Sequence, residues 1–145
     1  MKKFVAVLSL VVVAAFATAA LSTASTGRVS AGWSAKLTAA QEVPKQTVKN
    51  AAASGSFTAT LSGRKLKWKL TFSKLTGPAT AAHIHIGAMG KAGGVAVALC
   101  GPCKSGQSGT ATLTAATIAK AGKHLLYVNV HTAKNPNGEI RGQIG

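Results

Sequence analysis

Beyond an N-terminal apolar run, apolar and polar positions alternate along most of the chain with the two-residue period of half-buried strands. In GSFTATL, Phe57, Ala59 and Leu61 fall on one side and Ser56, Thr58 and Thr60 on the other. After the turn SGR, KLKWKLTF places Leu66, Trp68, Leu70 and Phe72 inward and Lys65, Lys67 and Lys69 outward. Such a Lys row predicts a solvated strand face that resists edge-to-edge pairing. WSAKLTA (Trp33–Ala39), ATAAHIHI, SGTATLT, HLLYVNVHT and GEIRGQI continue the strand-like series. VAVALC is nearly all apolar, which predicts either a strand buried on both sides or one arm of a tight hairpin. QEVPKQTVKN with Pro44, the turn LTGP, the Gly-rich GAMGKAGG and the turn AKNPNG connect these segments. One segment, TAATIAKAGK, reads as helix: Thr114 can cap its start, Lys120 sits in the last turn, and Gly122 can end it in the left-handed conformation. The predicted class is all-β, an antiparallel sandwich of about seven strands with one short helix in a connection.

The same alternation sorts the polar residues. Side chains two apart on a strand share a face, about 6.5–7 Å from each other. His83 and His85 therefore share a face, with Ile84 and Ile86 behind them. Tyr127, Asn129 and His131 share a face opposite Val128, Val130 and Thr132, and Glu139, Arg141 and Gln143 share one opposite Ile140 and Ile144. A hairpin of the last two strands would merge their polar sides, because both apolar sides must meet the core. The expected result is one polar patch of His83, His85, Asn129, His131, Glu139, Arg141 and Glu42.

Charge sharpens this picture. The 145 residues carry 17 Lys+Arg against two acids, Glu42 and Glu139, for a net charge of +15. Two carboxylates kept beside a Pro turn and beside an Arg two residues along predict specific pairing, a partly buried ion-pair cluster of Glu139, Arg141 and Glu42. The alternative is an exposed pair worth at most about 1 kcal/mol. A chain this basic favours anionic partners. The Lys residues are scattered, aromatic residues are few and no nucleic-acid motif is present, so diffuse affinity for anionic cell-envelope polymers is expected rather than sequence-specific nucleic-acid recognition.

The first residues place the chain outside the cytoplasm. Lys2 and Lys3, an apolar run and a small-residue stretch predict a secretory signal peptide over residues 1–24, with cleavage between 19 and 26, then a linker over 25–32 and one domain over 33–145. A retained N-terminal anchor is the alternative; with cleavage, no stable membrane span remains. No Cys ends the apolar run, which argues against a lipid anchor. In that compartment Cys100 and Cys103 of CGPC predict a structural disulfide. The spelling matches a thiol-redox motif, but that chemistry needs the first Cys at a helix N-terminus, whereas a strand precedes Cys100. GAMGKAGG lacks the Gly-x4-Gly-Lys spacing of a phosphate loop.

LTAAQEVP, GSFTATL, LTGPATAAHIHIG and LYVNVHTAKNPNGEIRGQI together resemble the CHRD domain, over about Trp33 to Gly145. The resemblance implies an extracellular, immunoglobulin-like sandwich and no defined activity. A looser similarity to copper–zinc superoxide dismutase rests on the His-x-His strand, but the zinc-site Asp is missing, for the chain has no Asp at all. The expectation is a secreted, non-catalytic binding or structural module at the cell envelope, without a cofactor. The alternative is an extracytoplasmic copper- or zinc-binding protein in which His83 and His85 share an ion with a third imidazole, His131 or His124. Otherwise the imidazoles hydrogen-bond with Asn129, Glu42 or Glu139 and hold the sheet and its loops together.

Overall fold

Among the described residues the alternating segments become eight antiparallel strands: β1 (Ser30–Thr38), β2 (Ser54–Ser62), β3 (Lys65–Ser73), β4 (Ala79–Ile86), β5 (Val95–Cys100), β6 (Gln107–Thr112), β7 (Leu126–Thr132) and β8 (Ile140–Gln143). A 3-10 turn (Ala39–Gln41) follows β1, and a short helix, α1 (Ala115–Ala121), joins β6 to β7. The computed structural model describes residues 30–145. The predicted signal peptide over 1–24 and residues 25–29 of the predicted linker lie outside the described residues. The last three residues of that linker are strand, with Ser30, Ala31 and Gly32 pairing with Ser62, Leu61 and Thr60.

The strands run in the order β5-β4-β7-β8-β1-β2-β3-β6. All eight belong to one continuous antiparallel sheet, folded into a barrel-like sandwich whose two halves share a core, as the expected all-β sandwich of about seven strands with one short helix describes. The halves are joined by β8 and β1 at a single paired position, Thr38 with Arg141. The apolar sides of both halves form that core: Leu37, Phe57, Leu66 and Leu70 from one, Ile84, Val128, Val130 and Ile140 from the other. Burying each such side chain contributes about 1.5–3 kcal/mol. Register explains the fit. Trp33 pairs with Ala59, Ala59 with Trp68, and Trp68 with Gly109, so large and small residues alternate across four strands. A Cβ on Gly109 would stand 2.5 Å from the Trp68 ring, so the bare glycine makes room for the indole.

Three local expectations meet a more specific outcome. Thr114 caps α1, its hydroxyl accepting from the Thr117 amide, and Lys120 lies in the last turn. Gly122, however, stays right-handed (φ −62°), and His124 takes the left-handed position (φ 54°) two residues later. The Leu125 amide reaches back to the Lys120 carbonyl, so the reversal falls two residues beyond the glycine. VAVALC is not buried on both sides: β5 is an edge strand, half exposed and paired only with β4, with Val95 open to solvent. Cys100 and Cys103 form a disulfide (Cα–Cα 5.2 Å) that closes the loop after β5. Cys103 is buried, its amide donating to the Ala79 carbonyl of β4, and the segment that follows leads into a strand, not a helix.

Candidate metal centre

β4, β7 and β8 bring the predicted polar residues together on the side of the sheet away from the core. His83 pairs with Asn129, His85 with Tyr127, and Ala81 with His131 across β4 and β7. Asn129 pairs with Arg141 and Tyr127 with Gln143 across β7 and β8. This side is not wet. His85, Tyr127, Asn129 and Arg141 are all buried, beneath the Gln41–Pro44 turn, the Gly87–Gly94 loop and the turn after β7. The sheet thus has an apolar core on one side and, on the other, a polar interior roofed by loops.

Three imidazoles converge here. His83, His85 and His131 each offer a ring nitrogen, and these atoms all lie within 4.8 Å of one another. His83 Nδ1 is 3.1 Å from His131 Nε2. The tautomers follow from the other ring nitrogens. A carbonyl oxygen only accepts, so His85 Nδ1 carries a proton donated to Gly93 O (3.0 Å), and His131 Nδ1 carries one donated to Pro136 O (2.9 Å). Both Nε2 atoms therefore hold free lone pairs. His131 Nε2 accepts from His83 Nδ1, whereas His85 Nε2 is buried with no hydrogen-bond partner. Burial pulls all three histidines below the ordinary histidine value, and their mutual proximity adds to this at His85 and His131. The cluster is neutral at pH 7, the state that binds metal. Backbone carbonyls orienting the far nitrogens of ligand histidines are the usual outer support of a metal site. The spacing is somewhat wider than a bound ion requires, Zn–N being about 2.0–2.1 Å.

A second layer steadies the cluster. The Tyr127 ring stacks on His85 at 4.9 Å between centroids and 9° between planes, and Arg141 Cζ sits 3.5 Å from the Tyr127 centroid. The Tyr127 hydroxyl accepts from the Gly93 amide and donates to Gly93 O, the same oxygen that receives His85 Nδ1. Arg141 Nη2 donates to Ala88 O and Lys91 O, and Gln143 Nε2 donates to Gly87 O and His124 O. The glycine-rich loop is thereby tied down by β7 and β8, and it positions the carbonyl that sets the His85 tautomer.

The two carboxylates do not form the predicted ion-pair cluster. Glu139 is fully buried, yet its oxygens accept from the Thr76 amide and hydroxyl, the Thr132 hydroxyl and the Asn50 amide group. Burial opposes its ionisation, but these donors outweigh it and hold the carboxyl below its usual range. Glu42, also fully buried, takes both its side-chain hydrogen bonds from Asn129 Nδ2. Burial dominates there and pushes its pKa up to about 7, against the smaller pull of Asn129 and of the Arg141 charge. Arg141 donates instead to carbonyls, and its Nη1 is buried without a hydrogen-bond partner. Strand parity misplaced Glu139 because it lies just before β8, where Gly138 at φ 133° turns the chain. A Cβ on Gly138 would meet the Asn129 amide at 2.5 Å and Glu42 Oε2 at 2.6 Å, so only glycine lets Glu42 and Asn129 join beneath that turn.

Among the sequence-predicted residues, then, His83, His85 and His131 meet directly, Asn129 and Glu42 pair beside them, Arg141 acts through Tyr127 and the loop, and Glu139 serves a separate knot. His124, the alternative third imidazole, is exposed in the turn after α1. The imidazoles do not hydrogen-bond with Asn129, Glu42 or Glu139. The roles of Gly93, Pro136 and Thr76 escaped sequence reasoning, since two of them act through backbone carbonyls and Thr76 lies in a loop without strand parity. Tyr127 did carry a signal: it shares the face of Asn129 and His131.

A family model for the CHRD domain matches residues 33–144, and the chain belongs to that family. No curated protein and no solved structure matches it.

Proposed function

We propose that this CHRD domain is a non-catalytic, extracytoplasmic module that binds one copper or zinc ion through His83 Nδ1, His85 Nε2 and His131 Nε2. The observation that carries the reading is the His85 ring. Its Nδ1 is committed to Gly93 O and its Nε2 is buried without a partner, facing two further imidazoles of the same cluster. A buried nitrogen lone pair left unmatched has a cost of about 1–3 kcal/mol, and a bound cation removes it. Binding asks one rearrangement of the metal-free cluster: the His83 proton moves from Nδ1 to Nε2, freeing Nδ1 and breaking the bond to His131. Three neutral imidazoles without a carboxylate or thiolate suit copper and zinc, and the Irving–Williams order places Cu2+ above Zn2+. A tetrahedral ion would take its fourth ligand from solvent on the His83 and His131 side, where burial is incomplete. No helix among the described residues is long and apolar enough to cross a membrane. The N-terminal leader pattern and the basic composition support work outside the cytoplasm at the cell envelope.

The test is the metal content of untagged protein, with copper and zinc titrations of the metal-free form. One equivalent is expected, lost in the His83→Ala/His85→Ala double variant and kept in His124→Ala. Less than a tenth of an equivalent after exposure to excess metal would overturn the reading and leave the imidazoles as a hydrogen-bonded clasp between β4 and β7.

A further inference from the structure

The opposite half of the sheet has a polar face of different make. On its solvent side Lys65, Lys67 and Lys69 of β3 form a row, each exposed. Register flanks the row with hydroxyls: Thr60, Lys67 and Thr110 align across three strands, as do Thr58, Lys69 and Ser108. These six side chains line an open trough of about 520 Å3. The short Thr and Ser side chains let the Lys ammonium groups stand clear of the surface on both sides of the row.

Three further observations restrict the occupant. The chain's only two carboxylic side chains, Glu42 and Glu139, are fully buried, so no side-chain anion competes for these lysines. Both tryptophans, Trp33 and Trp68, are in the core, so the face offers no aromatic platform for stacking bases. Among the described residues the exposed large apolar side chains, Val48, Met89 and Val95, all lie off this face, which therefore lacks the apolar centre of a protein–protein interface. We infer that the β2-β3-β6 face binds a linear phosphodiester polymer with a polyol backbone, laid along β3 with successive phosphates on Lys65, Lys67 and Lys69. Lys side chains two apart on a strand recur about every 6.5–7 Å, and phosphodiesters bridged by a short polyol repeat their charge at a comparable interval. The Thr and Ser hydroxyls donate to phosphate oxygens or exchange hydrogen bonds with polyol hydroxyls. The inference is independent of the metal centre, which lies on the other half of the sheet.

The experiment compares two triple variants of equal charge. Poly(glycerol phosphate) binding to the purified chain is measured from 50 to 200 mM salt, with Lys65→Gln/Lys67→Gln/Lys69→Gln set against Lys104→Gln/Lys123→Gln/Lys134→Gln. The second triple removes three exposed charges from elsewhere. The β3 triple is expected to weaken binding at least tenfold at 50 mM salt and to lower the slope of log K against log[salt] by about 2, as loss of three phosphate contacts on a single strand requires. The distant triple changes affinity less than threefold, and Lys→Arg at the three β3 positions retains it. Equal losses in both triples would reduce the effect to overall charge and overturn the inference. So would salt-independent binding, or tighter binding of oligothymidylate or of phosphatidylglycerol vesicles than of the polymer at equal phosphate. Thermal unfolding of each variant, unchanged for exposed Lys→Gln, confirms that folding is intact.

Discussion

On β4, β7 and β8, the polar side of the sheet carries His83, His85, Tyr127, Asn129 and Arg141 under a roof of loops, whose carbonyls and Glu42 take up part of its hydrogen bonding while His85 Nε2, Asn129 Oδ1, Arg141 Nη1 and Gln143 Oε1 stay buried without a partner. On β2, β3 and β6, the polar side carries Lys, Thr and Ser in rows open to solvent. Both sides arise from the same two-residue alternation, and both lie behind the same core. They differ in what covers them. The Gly87–Gly94 loop and the turns bearing Glu42 and Pro136 fold over the first, whereas the tight β2–β3 turn through Gly63 and Arg64 leaves the second bare. A roofed polar face must satisfy its groups internally or with a captured ion, because an unpaired buried polar group is costly. A bare one leaves its groups to water and to external partners.

That contrast can be broken most forcefully at Glu139. Glu139→Gln exchanges a buried acceptor for an amide that faces the Thr76 amide and two hydroxyls, and the expected loss is about 3 kcal/mol in urea or thermal unfolding. A change under 1 kcal/mol would show that this knot is not held by its carboxylate. Metal comes next. Copper or zinc at 100 times its dissociation constant should stabilise the wild type by about 2.7 kcal/mol, with no shift in His83→Ala/His85→Ala and a full shift in the β3 Lys→Gln triple. If the β3 triple lost the shift too, the two faces would not be independent.

Glu42 gives a smaller, pH-dependent effect. Its folded pKa of about 7 exceeds the ordinary 4.5, so between those values the folded chain holds a proton that the unfolded chain releases. Its contribution is fully present below about pH 4.5 and lost as pH rises through 7, on the order of 2–3 kcal/mol in all. The histidines act in the reverse sense: held below their ordinary 6.5, they favour the fold above that pH, and this is lost on acidification. Glu42→Gln imitates the protonated form. The variant should match the wild type at pH 5 and exceed it by about 2 kcal/mol at pH 8, measured by denaturant unfolding at both pH values. Equal stability of the two proteins at pH 8 would mean that Glu42 ionises at no cost. The smallest effect belongs to the bare face: Lys67→Gln should alter stability by no more than about 0.5 kcal/mol by the same measurement.

How much of this was legible along the chain varies with the element. Leu66, Trp68 and Leu70 face the core and Lys65, Lys67 and Lys69 face water as alternation predicts, since β3 lies between two partners that keep its pleat regular. His83, His85 and His131 share a face because β4 and β7 stay in register from Ala81–His131 to Ile86–Leu126, although β5 meets β4 with register shifts. Their tautomers were not legible, because they depend on Gly93 O and Pro136 O, and any residue could supply such a carbonyl. Glu139 was misplaced because strand parity fails at Gly138, where a positive φ redirects the side chain that follows. Glu42 looked like a partner for Arg141; it meets Asn129 instead, through a turn whose path no periodicity describes.

By itself, then, the order of residues determined the all-β class, the core-facing side of β2, β3 and β7 and the shared face of the histidines, which follow from local geometry repeating every two residues, and separately the Cys100–Cys103 bridge between two cysteines three residues apart. Only the tertiary structure decided which polar face is roofed and which is bare, which carboxylate pairs with which donors, and that one imidazole nitrogen is left buried without a partner. Those outcomes depend on loops closing across strands far apart in the chain, and a loop's path is set by the contacts it ends on rather than by any pattern within it.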